Sequence, residues 1–251
     1  MIFVAFIEYN DYVMKTKFLY IGIIFFLLVQ VVIVVIYQKN TEDIESNFTS
    51  ERKTISYVPI GDSYTIGLGV KEDERWPNVL VRHLNEKGVS VIIADNPSVS
   101  GYTVRNAIDY ELPTVEKIKP DFVTVFIGAN DNFAQRSVRE YENDLTELLD
   151  KLQSILNEPK NIVLVTIPDY SKAPAVNEED NDTLTNYIKE YNKVIRGLAV
   201  KKDLKVADIF SISQEMTDRK DYINDGLHPS RLGYEKWESV ILPVVLELLL
   251  D

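Results

Sequence analysis

The sequence predicts an α/β fold, a parallel sheet covered by helices on both faces, preceded by one transmembrane helix near the N-terminus. Short apolar runs suited to buried strands alternate with amphipathic stretches of helical length, the pattern of consecutive βαβ units. A separate run, residues 18–37, is apolar almost throughout. The composition, 45% hydrophobic and 26% charged in a chain of 251 residues, is that of a globular protein. Setting the apolar run aside leaves about 200 residues, enough for one well-buried domain and tight for two.

Residues 18–37 read FLYIGIIFFLLVQVVIVVIY, with Gln30 as the only strongly polar side chain. As a helix rising about 1.5 Å per residue the run reaches about 30 Å, the thickness of a hydrocarbon core. A helix of a soluble core would show a polar face, and a cleaved signal would be shorter and end in an Ala-x-Ala-like site; this run has neither. Lys15 and Lys17 precede it, and Glu42, Asp43 and Glu45 follow. By the positive-inside bias, residues 1–17 form a short cytoplasmic segment and everything after the single-pass anchor lies outside the cell membrane. Met14, followed by Lys-Thr-Lys, is a natural alternative start for such a segment. Residues 38–54 are polar, without hydrophobic period, and read as a tether to a folded domain at 55–251.

Within that domain, runs suited to buried parallel strands occur at 55–60, 89–94, 122–127, 162–167 and 204–209. Helical periodicity fills 76–86, 103–118, 138–156 and 184–200, and the chain closes with 234–250. In such sheets ligands bind beyond the carboxyl ends of the strands, so the residues just after each run are where chemistry is to be sought. Residues 168–182, PDYSKAPAVNEEDND, lack periodicity and are read as a solvated loop in preference to a flap over the site. A net charge of -12 without a Lys/Arg cluster argues against a nucleic-acid partner. The absence of cysteine excludes disulfides, thiolate metal sites and lipid-modified cysteine anchors.

Three segments at strand ends carry candidate chemistry. The first strand runs into Gly61-Asp62-Ser63, which puts a serine hydroxyl at the start of a helix, where backbone N–H groups can stabilise an oxyanion. An ordinary N-cap explains the same residues. The third strand ends in Gly128-Ala129-Asn130-Asp131; an asparagine amide there can donate into a pocket without bringing a charge, or form a simple Asx turn. After the last strand comes Asp225-Gly226-Leu227-His228. A serine hydroxyl needs a neutral imidazole to take its proton, and a carboxylate fixes the tautomer of that imidazole, which an Asp three residues before the His can do if Gly226 permits a tight turn. Of the two histidines, His83 falls among polar residues of a predicted helix and reads as a surface side chain, which leaves His228 as the candidate base.

Together with the glycine in Ser100-Gly101-Tyr102-Thr103, these blocks follow the order and rough spacing of the SGNH hydrolases, also called the GDSL esterase/lipase family, which the chain resembles over about residues 56–250. The resemblance implies a flavodoxin-like three-layer α/β/α sandwich and metal-free hydrolysis of esters or thioesters through an acyl-enzyme. It also implies the roles: Ser63 as nucleophile, His228 as general base and then acid, and Asp225 as its orienting partner. The oxyanion donors it implies are the Ser63 N–H, the Gly101 N–H and the Asn130 side chain. Tyr64 stands where the family's short name has leucine, a departure that bears on substrate preference. No cofactor or metal is expected. The expected partners are a small-molecule, lipid or glycan ester, including O-acetylated wall polysaccharide, and the membrane that holds the anchor.

Three rival readings stand beside this one. Gly67-Leu68-Gly69 follows a strand, as in nucleotide sites, but lacks the third glycine of the dinucleotide fingerprint and the Gly-Lys-Ser/Thr of a phosphate loop. The Gly61-Asp62 and Asn130-Asp131 blocks loosely match a two-metal phosphoesterase, a centre that usually draws on several histidines where this chain has two. A non-catalytic binding domain on the same fold is the third.

Overall fold

The computed structural model describes residues 14, 30–39, 54–176 and 181–250. The chain divides into two compact units, Met1–Arg52 and Lys53–Asp251. In the first unit, residues 30–39 are helical with exposed side chains. Among the described residues no helix is long and apolar enough to cross a membrane. Most of the expected span, 18–29, and most of the expected tether, 40–53, lie outside the described residues.

The second unit is a five-stranded parallel sheet with helices on its faces. Its strands are β1 (Ile55–Gly61), β2 (Val91–Ile93), β3 (Phe122–Phe126), β4 (Ile162–Val165) and β5 (Lys205–Ala207), in the order β2-β1-β3-β4-β5. After β1 come the one-turn helix α1 (Ser63–Ile66) and α2 (Trp76–Glu86); after β2 a helical stretch runs through α3 (Val104–Asn106), a wider π turn at Ala107–Glu111, and α4 (Leu112–Ile118). The short α5 (Ala129–Phe133) and the long α6 (Val138–Ile155) follow β3, α7 (Asn181–Lys202) follows β4, and α8 (Phe210–Gln214) and α9 (Arg231–Leu250) close the chain. Each expected strand and long helix is present. Strands β2 to β5 are shorter than their apolar runs, whose end residues lead into the flanking loops, while β1 extends one residue past its run to Gly61.

The core explains why these runs become strands. Every side chain of β3 and β4 is buried, as a sheet covered on both faces requires. Helix α2 packs against α9, while α4, α6 and α7 pack in sequence on one another. Tyr57 stacks on Phe122 with ring centroids 4.4 Å apart, and its hydroxyl is bonded to Thr124 Oγ1 at 2.6 Å, so a buried phenol is satisfied inside the sheet.

The strand order reverses between β1 and β3, and this opens a crevice at their carboxyl ends. There β1 extends beyond its neighbour, since its pairing with β2 stops at Tyr57↔Ile93 while its pairing with β3 continues to Gly61↔Phe126. On the β2 side, Ile55 donates to Ser90 and Tyr57 accepts from Ala94. The next positions on that side are Pro59 and Gly61, which β2 does not reach. Proline brings no N–H to satisfy, so Pro59 fits a buried strand position that would otherwise hold an orphan donor. Pro59→Ala should therefore lower stability by about 1–2 kcal/mol in denaturant unfolding, from the new unpaired N–H and the freer unfolded chain. A more stable variant would show that this side of β1 is not starved of acceptors.

Candidate active site

Gly61 has no room for a side chain: a Cβ there would lie 2.5 Å from the Phe126 carbonyl oxygen and 2.1 Å from Thr65 Oγ1. The backbone thus turns tightly off β1 into α1. Asp62 is the N-cap of α1, its Oδ1 accepting from the Tyr64 N–H at 3.0 Å, so the ordinary capping reading of this segment holds as far as it goes. Ser63 opens the helix, almost fully buried, with its hydroxyl at the wall of a pocket.

The loop after Tyr222 brings His228 to that hydroxyl. His228 Nε2 lies 2.9 Å from Ser63 Oγ, and Nδ1 lies 2.7 Å from Asp225 Oδ2. With Nδ1–H donated to the carboxylate, Nε2 is left to accept from the serine. Asp225 Oδ1 accepts from the backbone N–H groups of Leu227, at 2.8 Å, and His228, at 3.0 Å, so a tight turn holds the carboxylate in place. Gly226 lies at φ +72 within it, a conformation that suits glycine. Burial raises the Asp225 carboxyl, but the hydrogen bonds from Leu227 and His228 outweigh it and hold the group below the usual carboxylate range. Tyr64 packs beside the imidazole with ring centroids 5.6 Å apart and against Trp237 and Phe126 in the core, so the family's leucine is replaced here by an aromatic buttress.

The remaining expected donors converge on the same pocket. Gly101 lies at the third position of a turn closed by the Tyr102 N–H on Val99 O, and it lines the pocket with Ser63 and Asn130. The N–H groups of Ser63 and Gly101 have no acceptor among the described residues. Asn130 differs: its Nδ2 donates both to Asp62 Oδ2 at 3.1 Å and to Tyr102 O at 2.9 Å, so both of its N–H groups have acceptors within the protein. His83 stands apart from this group. Its Nδ1 is 3.0 Å from Oε1 of the buried Glu238, so the residue read as a surface side chain is half-buried and hydrogen-bonded to a distant helix.

Several residues of the site were not expected from the sequence. Beneath Ser63, buried Glu111 accepts the Gly61 N–H on Oε2 at 3.0 Å, supplying the acceptor that β2 does not. Its Oε1 has no partner among the described residues, and burial, opposed by the Gly61 N–H and helped by Asp62, pushes the group up to about 9. Burial also raises Asp62, to about 7, against the Tyr64 N–H and with Asp131 adding to the rise. Asp131 itself accepts from the Val104 N–H at 2.9 Å and from Arg136 at 2.8 Å, which fixes the start of α3 behind Gly101. Glu111 sits at the end of the π turn, and no spacing in the sequence marks it as different from an exposed helical glutamate.

Residues 168–176 are not the solvated loop the sequence suggested. Asp169, Tyr170, Ser171 and Ala173 are buried, and Tyr170 and Val176 line the pocket. Asp169 organises the segment by accepting from Ser171 at 2.6 Å, Thr185 at 3.1 Å and Gln214 at 2.9 Å. The alternation of Tyr170, Ala173 and Val176 is the apolar signal hidden there. The pocket, about 390 Å³, is walled on that side by Tyr170, Val176, Leu184 and Leu227.

Comparison with known proteins identifies the family and the fold. Residues 60–236 match the GDSL-like Lipase/Acylhydrolase family. A multidomain esterase of Ruminococcus flavefaciens is 29% identical over 224 residues, covering 75% of this chain but only 28% of that larger protein. Among solved structures, the psychrotrophic esterase EstA of a Pseudoalteromonas species superposes with a TM-score of 0.63 at 19% identity, covering 78% of this chain and 99% of that one. A family 3 carbohydrate esterase of Clostridium thermocellum does so with a TM-score of 0.62 at 25% identity, covering 78% and 98%.

The buried Glu111 makes stability depend on pH. Its carboxyl is raised in the folded protein, so its contribution is fully present below about 4.5 and is lost as pH rises towards about 9. Glu111→Gln keeps an acceptor for Gly61 and cannot ionise, so its stability curve should be flatter than that of the wild type across this window. Glu111→Ala should cost about 1–3 kcal/mol at every pH, from the stranded Gly61 N–H. Parallel curves for wild type and Glu111→Gln in urea titrations would mean the carboxyl is not held neutral.

Proposed function

Since the chain belongs to the GDSL-like lipase/acylhydrolase family, we propose that it is a serine hydrolase cleaving carboxylic esters or thioesters through an acyl-enzyme on Ser63. The observation that carries this is the pair of hydrogen bonds on His228, Nε2 to Ser63 Oγ at 2.9 Å and Nδ1 to Asp225 at 2.7 Å. In this reading Ser63 Oγ attacks the carbonyl carbon as His228 takes its proton, and Asp225 steadies the imidazolium. The N–H groups of Ser63 and Gly101 receive the oxyanion. Asn130 joins them when one of its N–H groups turns from Tyr102 O towards the substrate. Collapse of the tetrahedral intermediate breaks the bond to the alcohol, which leaves with the proton held by His228; water then repeats the sequence on the acyl-serine with His228 again as base.

Ser63→Ala and His228→Ala should remain folded and lose ester hydrolysis by on the order of a thousandfold or more, because the members of such a triad act as a unit. Labelling by a fluorophosphonate should disappear in both. A variant of either residue that keeps a tenth of the wild-type rate on p-nitrophenyl acetate would sink the assignment. Asn130→Ala should lower kcat by about a hundredfold.

We further propose that residues 18–37 anchor the domain to the outer face of a cell membrane through the tether at 38–54. The support is the apolar run, interrupted only by Gln30 among strongly polar side chains, and the basic-before, acidic-after charge pattern around it. A chain beginning at Thr49 should be soluble and as active on small soluble esters as the full chain in detergent. Aggregation of that shortened chain, or loss of its activity on small esters, would show that the run packs against the domain.

A further inference from the structure

A second, larger cavity of about 970 Å³ adjoins the Ser63 pocket, and Phe133 and Leu184 line both. The walls differ. The pocket beside Ser63 has an apolar side suited to a short acyl group. The larger cavity is an open groove between α5 and α7, with Gln135, Thr183, Asn186 and Glu190 among its lining residues. Phe133 stands in its wall 75% exposed, an apolar ring offered to solvent at the end of a short helix. Asn132 also lines it, at 1% exposure: its Oδ1 accepts from Tyr170 at 2.5 Å, while its Nδ2 has no acceptor among the described residues.

We infer that this groove binds the alcohol half of the substrate as a chain of sugar units, the scissile ester being an O-acyl group carried on that chain. The inference rests on the ester-hydrolase reading of Ser63 and adds the substrate class. An aromatic ring flanked by amides and a hydroxyl matches the two kinds of surface on a sugar, C–H faces that stack and hydroxyls that both donate and accept. A long acyl chain in the groove would strip water from Gln135, Asn186 and Glu190 without giving them partners, at a cost in every polar group covered. An anionic ligand would meet Glu190 and a chain of net charge -12. A neutral, hydroxyl-rich chain meets neither penalty, and its hydroxyls both donate to and accept from the exposed amides of Gln135 and Asn186.

The test measures kcat/KM of the full chain on acetylated xylose, on acetylated xylo- and gluco-oligosaccharides, and on p-nitrophenyl esters of increasing acyl length. The specificity constant is expected to rise by about tenfold or more from the monosaccharide to the oligosaccharides and to fall as the acyl chain lengthens. Phe133→Ala and Asn186→Ala should remove most of the oligosaccharide gain, so that the ratio of long to short sugar substrates approaches one. Separately, Ser63→Ala should bind the unacetylated oligosaccharides in calorimetry, and the added Phe133→Ala change should weaken that binding. Indifference to sugar length, or a rate that climbs with acyl length, would overturn the inference while leaving the ester hydrolase intact. Loss of hydrolysis on every ester would instead remove the proposed reaction, and the calorimetry would still decide whether the groove holds a glycan.

Discussion

The Asp62 carboxyl is the contact on which the geometry around Ser63 depends, because it draws together segments that approach from three strands. One oxygen accepts the Tyr64 N–H and sets the start of α1; the other accepts Asn130 Nδ2, whose second hydrogen bond goes to Tyr102 O in the turn that carries Gly101. The loops after β1, β2 and β3 are thereby tied through one buried group. In a low-dielectric setting such bonds are strong when made and costly when lost. The same setting explains why Asp62, Glu111 and Asp131 are all raised by burial: a carboxyl that organises backbone N–H groups from inside a core must either find cations or stay largely protonated. Arg136 serves Asp131, and Glu111 takes the second course.

The shortness of β2 is the second constraint. Had it run the length of β1, Gly61 would have found a strand partner and the crevice at the switch point would be filled. Instead the strand stops at Ile93, Ser98 Oγ lies 3.5 Å from the Pro59 carbonyl, and a helical glutamate reaches the Gly61 N–H. The space left at the carboxyl edge is where the turn at Gly101 enters. A site for an oxyanion needs N–H groups with no internal acceptor, which the interior of a sheet never offers. The first residue of a helix and the apex of a turn do offer them, and Ser63 and Gly101 occupy those two positions.

The architecture was legible because a doubly covered parallel sheet writes itself as long apolar runs with helical periodicity between them, and the triad because Ser63, Asp225 and His228 lie in short local motifs after strands. What escaped was whatever depends on contacts between distant segments. Glu111 and Asp169 are buried acids whose neighbours come from other loops, and an acidic residue in a sequence is by default a surface residue. His83 was read as a surface side chain because its partner Glu238 is far away along the chain. The 168–176 segment looked solvated because its Pro and polar residues obscured the buried Tyr170 and Ala173. Asn130 was legible as a donor, but its commitment to Asp62 and Tyr102 was not, since that required the sheet to bring three loops within hydrogen-bonding reach.

The placement of the triad and of the groove on different elements has its own logic. Ser63 begins α1, and Asp225 and His228 lie in one tight turn, so the three side chains are held by short-range backbone geometry. The groove is lined from α5 and α7, whose inner sides are fixed by Asn132 on Tyr170 and by Thr185 on Asp169, while Gln135, Asn186 and Glu190 remain exposed. If the groove holds the alcohol half as proposed, substitutions on those outer positions would change what is bound without moving Ser63 or His228, a route by which one hydrolytic scaffold can serve different alcohols. Phe133 and Leu184 belong to both spaces, so they are the residues through which a change in the groove would be felt at the ester. Binding energy gathered along a distant chain of contacts is useful to the reaction only if it orients the bond to be broken, and in the proposed glycan reading these two side chains are where that orientation would be transmitted.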